Sequence, residues 1–159
     1  MLLIVCGLQG TGKTTVAKKI ADRTNSVLLR SDIIRKEMFE HPTYSEEEKQ
    51  DVYTEMTDRA RTLLSDGLNV VLDATFNTGL NRDQAEQIAI DLNIPCKIIK
   101  VECDEDVIEK RISERIGDAS NANFNHYLQY KQNFEEFVEP PLVIDNSGML
   151  PIWTKRLRI

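Results

Sequence analysis

Eight residues near the front of the chain, Gly7-Leu8-Gln9-Gly10-Thr11-Gly12-Lys13-Thr14, constrain the fold more than any other feature of the sequence. They follow an uninterrupted apolar run, residues 2–6, and precede a stretch where Val16, Ala17, Ile20 and Ala21 recur at helical spacing. A buried strand, a glycine-rich turn and an amphipathic helix in that order aim backbone N–H groups and the positive end of a helix dipole at one point, which suits an anion. The G-x-x-x-x-G-K-[ST] spacing adds a lysine that reaches β- and γ-phosphates and a hydroxyl that can take a place on Mg²⁺. A turn serving only to start a helix has no use for Lys13 and Thr14 together. The pattern therefore predicts a triphosphate cradle through Gly7, Gln9, Gly10, Thr11, Gly12, Lys13, Thr14 and Thr15. The guanine-selecting run N-K-x-D is absent, which favours ATP.

Beyond this loop, strand-like and helix-like segments alternate. Apolar runs at 2–6, 27–29, 69–73, 96–101 and 142–144 read as short strands covered on both faces. Between them, Val52, Met56, Ala60, Leu63 and Leu64 mark a long helix. Ser45-Glu46-Glu47-Glu48 predicts a capping box at its start, and Gly67 predicts its stop. Ala85, Ile88, Ala89 and Leu92 form another stripe, as do Val107, Ile108, Ile112 and Ile116. Phe124, Tyr127, Leu128, Phe134 and Phe137 form a last one, ahead of Pro140-Pro141. Strands alternating with helices predict an α/β sandwich around a five-stranded parallel sheet with right-handed crossovers. No repeat or linker interrupts it, so residues 1–159 read as a single domain.

Composition narrows the function. At 159 residues with 41% hydrophobic content, the chain can bury a core without disulfides or structural metal. Twenty basic against twenty-six acidic residues give a net charge of −6, so any contact with nucleic acid must use a local patch. No apolar run approaches the ~20 residues needed to cross a bilayer, and Met1 leads straight into the first strand with no signal-peptide pattern, so a cytoplasmic protein is expected. Cys6, Cys96 and Cys103 show no C-x-x-C spacing and lie far from His41 and His126; free, buried thiols are expected.

Three further clusters carry candidate chemistry. The second strand-like run ends in Arg30-Ser31-Asp32, with Arg35 one helical turn later. Ligands of doubly wound sheets meet the carboxyl ends of strands, so Asp32 is placed to accept an acceptor hydroxyl's proton and Arg35 to orient the acceptor; a helix N-cap is the competing use of Asp32. The third strand ends in Asp73-Ala74-Thr75-Phe76-Asn77, whose carboxylate can hold a magnesium-bound water or a substrate hydroxyl. In Arg111-Ile112-Ser113-Glu114-Arg115-Ile116-Gly117, two arginines four apart share a helix face and can neutralise charge on a transferring phosphoryl group. The small polar stretch 118–123 that follows suits a lid over about residues 111–125.

Taken in order, the glycine loop, S-D-x-x-R, D-A-T-F and R-x-x-x-R-x-G resemble the small P-loop kinases, in particular the polynucleotide 5′-hydroxyl kinases and the kinase group related to zeta toxins and to gluconate and chloramphenicol phosphotransferases. The resemblance implies a P-loop NTPase-type three-layer sandwich with a small helical lid, ATP and Mg²⁺ as cofactors, and transfer of the γ-phosphate to a hydroxyl. It places the general base on Asp32 and the acceptor's phosphate on Arg35. The acceptor or metal site falls on Asp73, with Thr75 of the same run, and the donor phosphates on Arg111 and Arg115. The turn 143–147 is similar to the family's adenine-side loop. Residues 13–36 hold seven basic and two acidic residues, whereas 37–66 hold nine acidic and three basic. The basic stretch favours a polynucleotide 5′ end slightly over a small alcohol or nucleotide sugar as acceptor. Aromatic content of 6%, without aromatic–basic interleaving, argues for a short strand end over a long one. A non-catalytic nucleotide switch is the reading from another class.

Overall fold

The computed structural model describes residues 1–114 and 124–148. Eleven elements alternate along these residues: β1 (Leu2–Cys6), α1 (Lys13–Thr24), β2 (Ser26–Arg30), α2 (Ser31–Met38), α3 (Glu46–Ser65), β3 (Asn69–Asp73), α4 (Gly79–Asp91), β4 (Cys96–Glu102), α5 (Glu105–Ser113), α6 (Phe124–Gln132) and β5 (Leu142–Asp145). The strands form one parallel sheet in the order β2-β3-β1-β4-β5.

Strand period explains the two cores. Leu2, Ile4 and Cys6 of β1 point to one face and pack with Val52, Met56, Ala60 and Leu64 of α3 and Ala85 and Ile88 of α4. Leu3 and Val5 point to the other and meet Val16, Ala17, Ile20 and Ala21 of α1. Every residue of β1 is buried, whereas β2 and β5 at the sheet edges are partly open. Each fully buried aliphatic side chain contributes ~1.5–3 kcal/mol, so the centre of the sheet is the rigid base on which the site stands.

Helix α3 ends as expected: the Gly67 N–H donates to Leu64 O and that of Leu68 to Leu63 O, a Schellman pair that satisfies the last carbonyls. Its start differs from expectation. The Ser45 hydroxyl accepts the Glu48 N–H at 3.2 Å, but the Glu48 carboxylate turns to Thr43, Tyr44 and Arg35 instead of closing the box on Ser45. A second correction concerns the last stripe. Phe134 and Phe137 are not on a helix, because α6 stops at Gln132. The backbone beyond it is recruited by the buried Arg82, which donates to the carbonyls of Phe76, Glu135 and Glu136 and sits 4.3 Å from the Phe137 ring centroid. A third concerns α2, which begins at Ser31 with Arg30 as its N-cap, so Asp32 lies inside its first turn and is not the cap.

Candidate active site

The turn after β1 leaves the sheet at Gly7, whose φ is +137°. A Cβ there would stand 2.4 Å from the Val101 carbonyl oxygen, so only glycine fits between β1 and β4. The Gly7 N–H donates to Thr75 O at 3.2 Å, tying the start of the loop to the segment after β3. Inside the loop, the Thr11 hydroxyl and the Lys13 ammonium both donate to Leu8 O, at 2.8 and 2.9 Å. Gly12 adopts the left-handed conformation, φ +85°, as the N-cap of α1. The first turn of α1 carries no acidic residue, so its positive dipole end is not offset from within the helix. Thr15 is exposed and its N–H bonds back to Gly12 O. The Gln9 Oε1 is buried without a hydrogen-bond partner beside the loop.

Four side chains from four elements, α1, β2, α2 and β3, join at the carboxyl edge of the sheet. The Thr14 hydroxyl donates to Asp73 Oδ2 at 2.7 Å, and Asp73 is only 4% exposed. Arg30, paired with Asp73 in the β2–β3 register, brings its Nε to 3.5 Å from the same oxygen, and its Nη2 lies 3.9 Å from Asp32 Oδ2. Asp32, 73% exposed, is thus linked through Arg30 and Asp73 to the phosphate loop. Arg30 was not singled out from the sequence, although its place as last residue of a strand, one step before Ser31-Asp32, was the available signal. A hydroxyl and a buried carboxylate side by side are hard oxygen donors and suit Mg²⁺, which takes one or two protein oxygens and completes its shell with phosphates and water. Among the described residues no cluster of three or more His, Cys, Asp or Glu forms an all-protein metal cage.

Arg35 has a different setting. Its guanidinium is paired with Glu48 and lies 4.9 Å from the Tyr44 ring centroid. Glu48 also accepts from Thr43 N–H at 2.5 Å, Thr43 Oγ1 at 2.8 Å and Tyr44 N–H at 3.1 Å. Burial pushes its carboxyl up, but these donors and Arg35 overcome that and hold it at about 2 against an ordinary 4.5. Between those values the unfolded chain takes up the proton first. The stability from this group is therefore complete above about pH 4.5 and is lost as pH falls toward 2. The expected result is that the Tm advantage of the wild type over Glu48→Gln narrows from pH 5 to pH 3. Parallel melting curves across that range would show that the knot does not titrate as described.

On the other flank, Arg111 donates to Asn146 O at 2.9 Å and contacts Cys103 Sγ at 3.2 Å. Asn146 Nδ2 in turn donates to Thr11 O at 2.8 Å. The turn after β5 therefore clasps the phosphate loop, and Arg111 stands beside Gly12, its Nη1 3.7 Å from where a Cβ on that residue would lie. Asn146 carried no role in the sequence beyond a likeness to an adenine-side loop. Arg115 and the stretch 118–123 expected to form the lid lie outside the described residues. The three cysteines are unpaired, and burial pushes the thiols of Cys6 and Cys96 up to about 12.

A parallel sheet of order 2-3-1-4-5 with a glycine loop after β1, a lysine–threonine pair opening α1 and an acid ending β3 defines a P-loop nucleotide-binding domain of the kinase-like kind. The chain belongs to the AAA domain family, whose model matches residues 2–137. Uncharacterized proteins of Mycobacterium tuberculosis and Mycobacterium bovis are 29% identical over 133 residues, which is 76% of this chain; the chain spans only 27% of their length. Among solved structures, a sugar kinase from Janibacter sp. HTCC2649 superposes with a TM-score of 0.70 at 18% identity, covering 94% of this chain and 86% of that one. A gluconokinase from Sinorhizobium meliloti 1021 gives 0.70 at 16% identity, covering 92% and 82%. The Mycobacterium tuberculosis APS kinase in complex with AMPPNP and APS gives 0.68 at 16% identity, covering 92% and 88%. These likenesses establish the fold. No helix among the described residues is long and apolar enough to cross a membrane.

Proposed function

We propose that the protein transfers the γ-phosphate of ATP to a hydroxyl of a small molecule. The observation that carries this reading is the Thr14–Asp73 contact at the start of α1, joined through Arg30 to the exposed carboxylate of Asp32. The loop amides between Gly7 and Thr15, together with Lys13, bind the phosphates; Arg111, from the far side of the loop, and Arg115 neutralise charge on the transferring group. The Thr14 hydroxyl, and Asp73 through water, would hold a magnesium ion, which would supply further neutralisation of the phosphate oxygens. Asp32 accepts the acceptor's hydroxyl proton as the new O–P bond forms. The bond from the γ-phosphorus to the bridging oxygen breaks, and its electron pair leaves with ADP.

A polynucleotide 5′-hydroxyl end, favoured by the basic stretch 13–36, is the second acceptor reading. Two observations move it behind the small molecule. The Arg35 guanidinium, the group that would take an acceptor phosphate, is committed to Glu48, and the similar structures named above are a sugar kinase, a gluconokinase and an APS kinase. The test is label transfer from γ-labelled ATP to three acceptors: 5′-hydroxyl RNA, 5′-hydroxyl DNA and pooled small alcohols. Label is expected in the alcohol pool. Label confined to the nucleic acids would reverse the acceptor, and slow phosphate release with no labelled product would favour a nucleotide switch.

A further inference from the structure

Arg30 closes β2 and caps α2, a place where its residue type is locally disfavoured. A guanidinium has no acceptor atom for a first-turn N–H, and no side-chain cap bond forms at this helix start. Its positive charge also stands at the positive end of the helix dipole. Residues that break such local rules are expected where a site uses them. The sheet fixes what Arg30 reaches. In the β2–β3 register it lies beside Asp73, so the two side chains leave the strands on the same face. One edge of the guanidinium then spans two carboxylates from different elements: Nε is 3.5 Å from Asp73 Oδ2, and Nη2 is 3.9 Å from Asp32 Oδ2. Neither contact is a hydrogen bond. Nε is buried without one, and 3.9 Å is beyond hydrogen-bond reach. The two carboxylates differ in freedom. Asp73 is buried and bound by the Thr14 hydroxyl, whereas Asp32 is exposed, and among the described residues its ionic partner is Arg30.

We propose that Arg30 is the positioning residue of the general base; the proposal rests on the kinase reading above. Anchored on Asp73, its charge holds the Asp32 carboxylate beside the Thr14–Asp73 contact and leaves the carboxylate oxygens free to accept. A hydrogen-bonded pair would occupy lone pairs that must take the acceptor's proton. Arg35, bound to Glu48, shows that tighter arrangement. Attraction across 3.9 Å confines Asp32 without such a bond. Without Arg30, an exposed side chain in the first turn of α2 turns freely into solvent. The confinement matters because a reacting group misplaced by about 1 Å can lose about 10²-fold in rate. Arg30 is not itself a phosphate ligand in this arrangement, since the two carboxylates beside it outweigh its single charge.

The experiment makes Arg30→Gln and Arg30→Lys, each alone and together with Asp32→Asn. Glutamine keeps a donor for Asp73 but is uncharged and ends short of Asp32; lysine keeps the charge without the planar fork. Single-turnover transfer from γ-labelled ATP and affinity for AMPPNP with Mg²⁺ are measured on all of them. Arg30→Gln is expected to transfer about 10–10²-fold more slowly, with AMPPNP affinity changed less than about twofold. Arg30→Lys should lose less than about fivefold, because charge and not a directed bond does the holding. In the Asp32→Asn background neither exchange should cost more than about twofold further, since a residue acting through the base has nothing left to position. A merely structural arginine costs the same in both backgrounds. That equality would overturn the proposal, as would unchanged transfer in Arg30→Gln or a lysine variant as slow as the glutamine one. AMPPNP affinity falling as far as the rate would also overturn it, by assigning Arg30 to the nucleotide through Asp73. One readout needs no turnover. The ¹³Cγ carboxylate signal of Asp32, identified by its loss in Asp32→Asn, should move in Arg30→Gln. A moved signal in a wild type that labels no acceptor ends the kinase reading, and the base role with it, but leaves the pairing standing. Label transfer with an unmoved signal keeps the kinase and removes Arg30.

Discussion

Exchanging Asp32 for asparagine is expected to lower kcat by roughly 10²–10⁴-fold, the usual worth of a positioned general base, while the KM for ATP changes less than about twofold. The setting of the residue makes this separation measurable. Asp32 is 73% exposed and its nearest ionic partner is Arg30 at 3.9 Å, so the exchange removes no core contact and Tm should hold. Arg30 keeps its other carboxylate, that of Asp73 at 3.5 Å. Asparagine preserves the size of the side chain and removes only its capacity to take a proton. Steady-state transfer of labelled γ-phosphate, with a melting curve on each protein, provides the check. Turnover equal to that of the wild type would remove Asp32 from the mechanism. Had the exchange been made at Asp73 instead, the buried negative charge shared by the Thr14 hydroxyl and Arg30 at the phosphate loop would be lost. The KM for ATP would then rise along with the loss in kcat, which is why Asp32 gives the cleaner reading of base chemistry.

What the sequence discloses and what it hides separate by the range of the interactions involved. The phosphate loop is legible because eight consecutive residues carry it and the strand and helix on either side are periodic. Strands β1 and β3 fall on the expected bounds because burial on both faces leaves unbroken apolar runs. β2 runs from Ser26 to Arg30, longer than the apolar 27–29, because an edge strand can end in polar residues that serve the site. The residues that organise the site from a distance left no pattern. Arg30 meets Asp73, Arg82 meets Glu135 and Glu136, and Asn146 meets Thr11, each pair more than 40 positions apart. Arg35 shows the same limit in another form. Its type and its place one turn beyond Asp32 were plain, but its partner Glu48 read as half of a capping box until α2 and α3 were seen together. The fold was thus largely readable from local periodicity, and the site only where its parts are contiguous.

Phe76→Ala is expected to cost ~3–5 kcal/mol of stability, the range for a buried aromatic truncated to alanine, and so to lower Tm by on the order of 10 °C in a domain of this size. Phe76 is fully buried, its ring centroid lies 5.2 Å from that of Tyr53, and its backbone N–H donates to the Tyr53 hydroxyl at 2.9 Å. That hydrogen bond survives truncation only if Tyr53 keeps its place, so part of the cost is the loosening of α3 against β3. Its chain neighbour makes the effect reach function: Thr75 O receives the Gly7 N–H that ties down the start of the phosphate loop. The KM for ATP should therefore rise, unlike the kcat-only signature of Asp32→Asn. A control separates packing from backbone. Phe76 has φ +48°, a conformation that burdens alanine and phenylalanine alike and spares glycine. Phe76→Gly should accordingly be no less stable than Phe76→Ala, the reverse of the usual order of ~0.5–1 kcal/mol in favour of alanine. If alanine proves the more stable by that margin, the left-handed backbone at residue 76 is wrong, and with it the way this turn presents the Thr75 carbonyl to the phosphate loop.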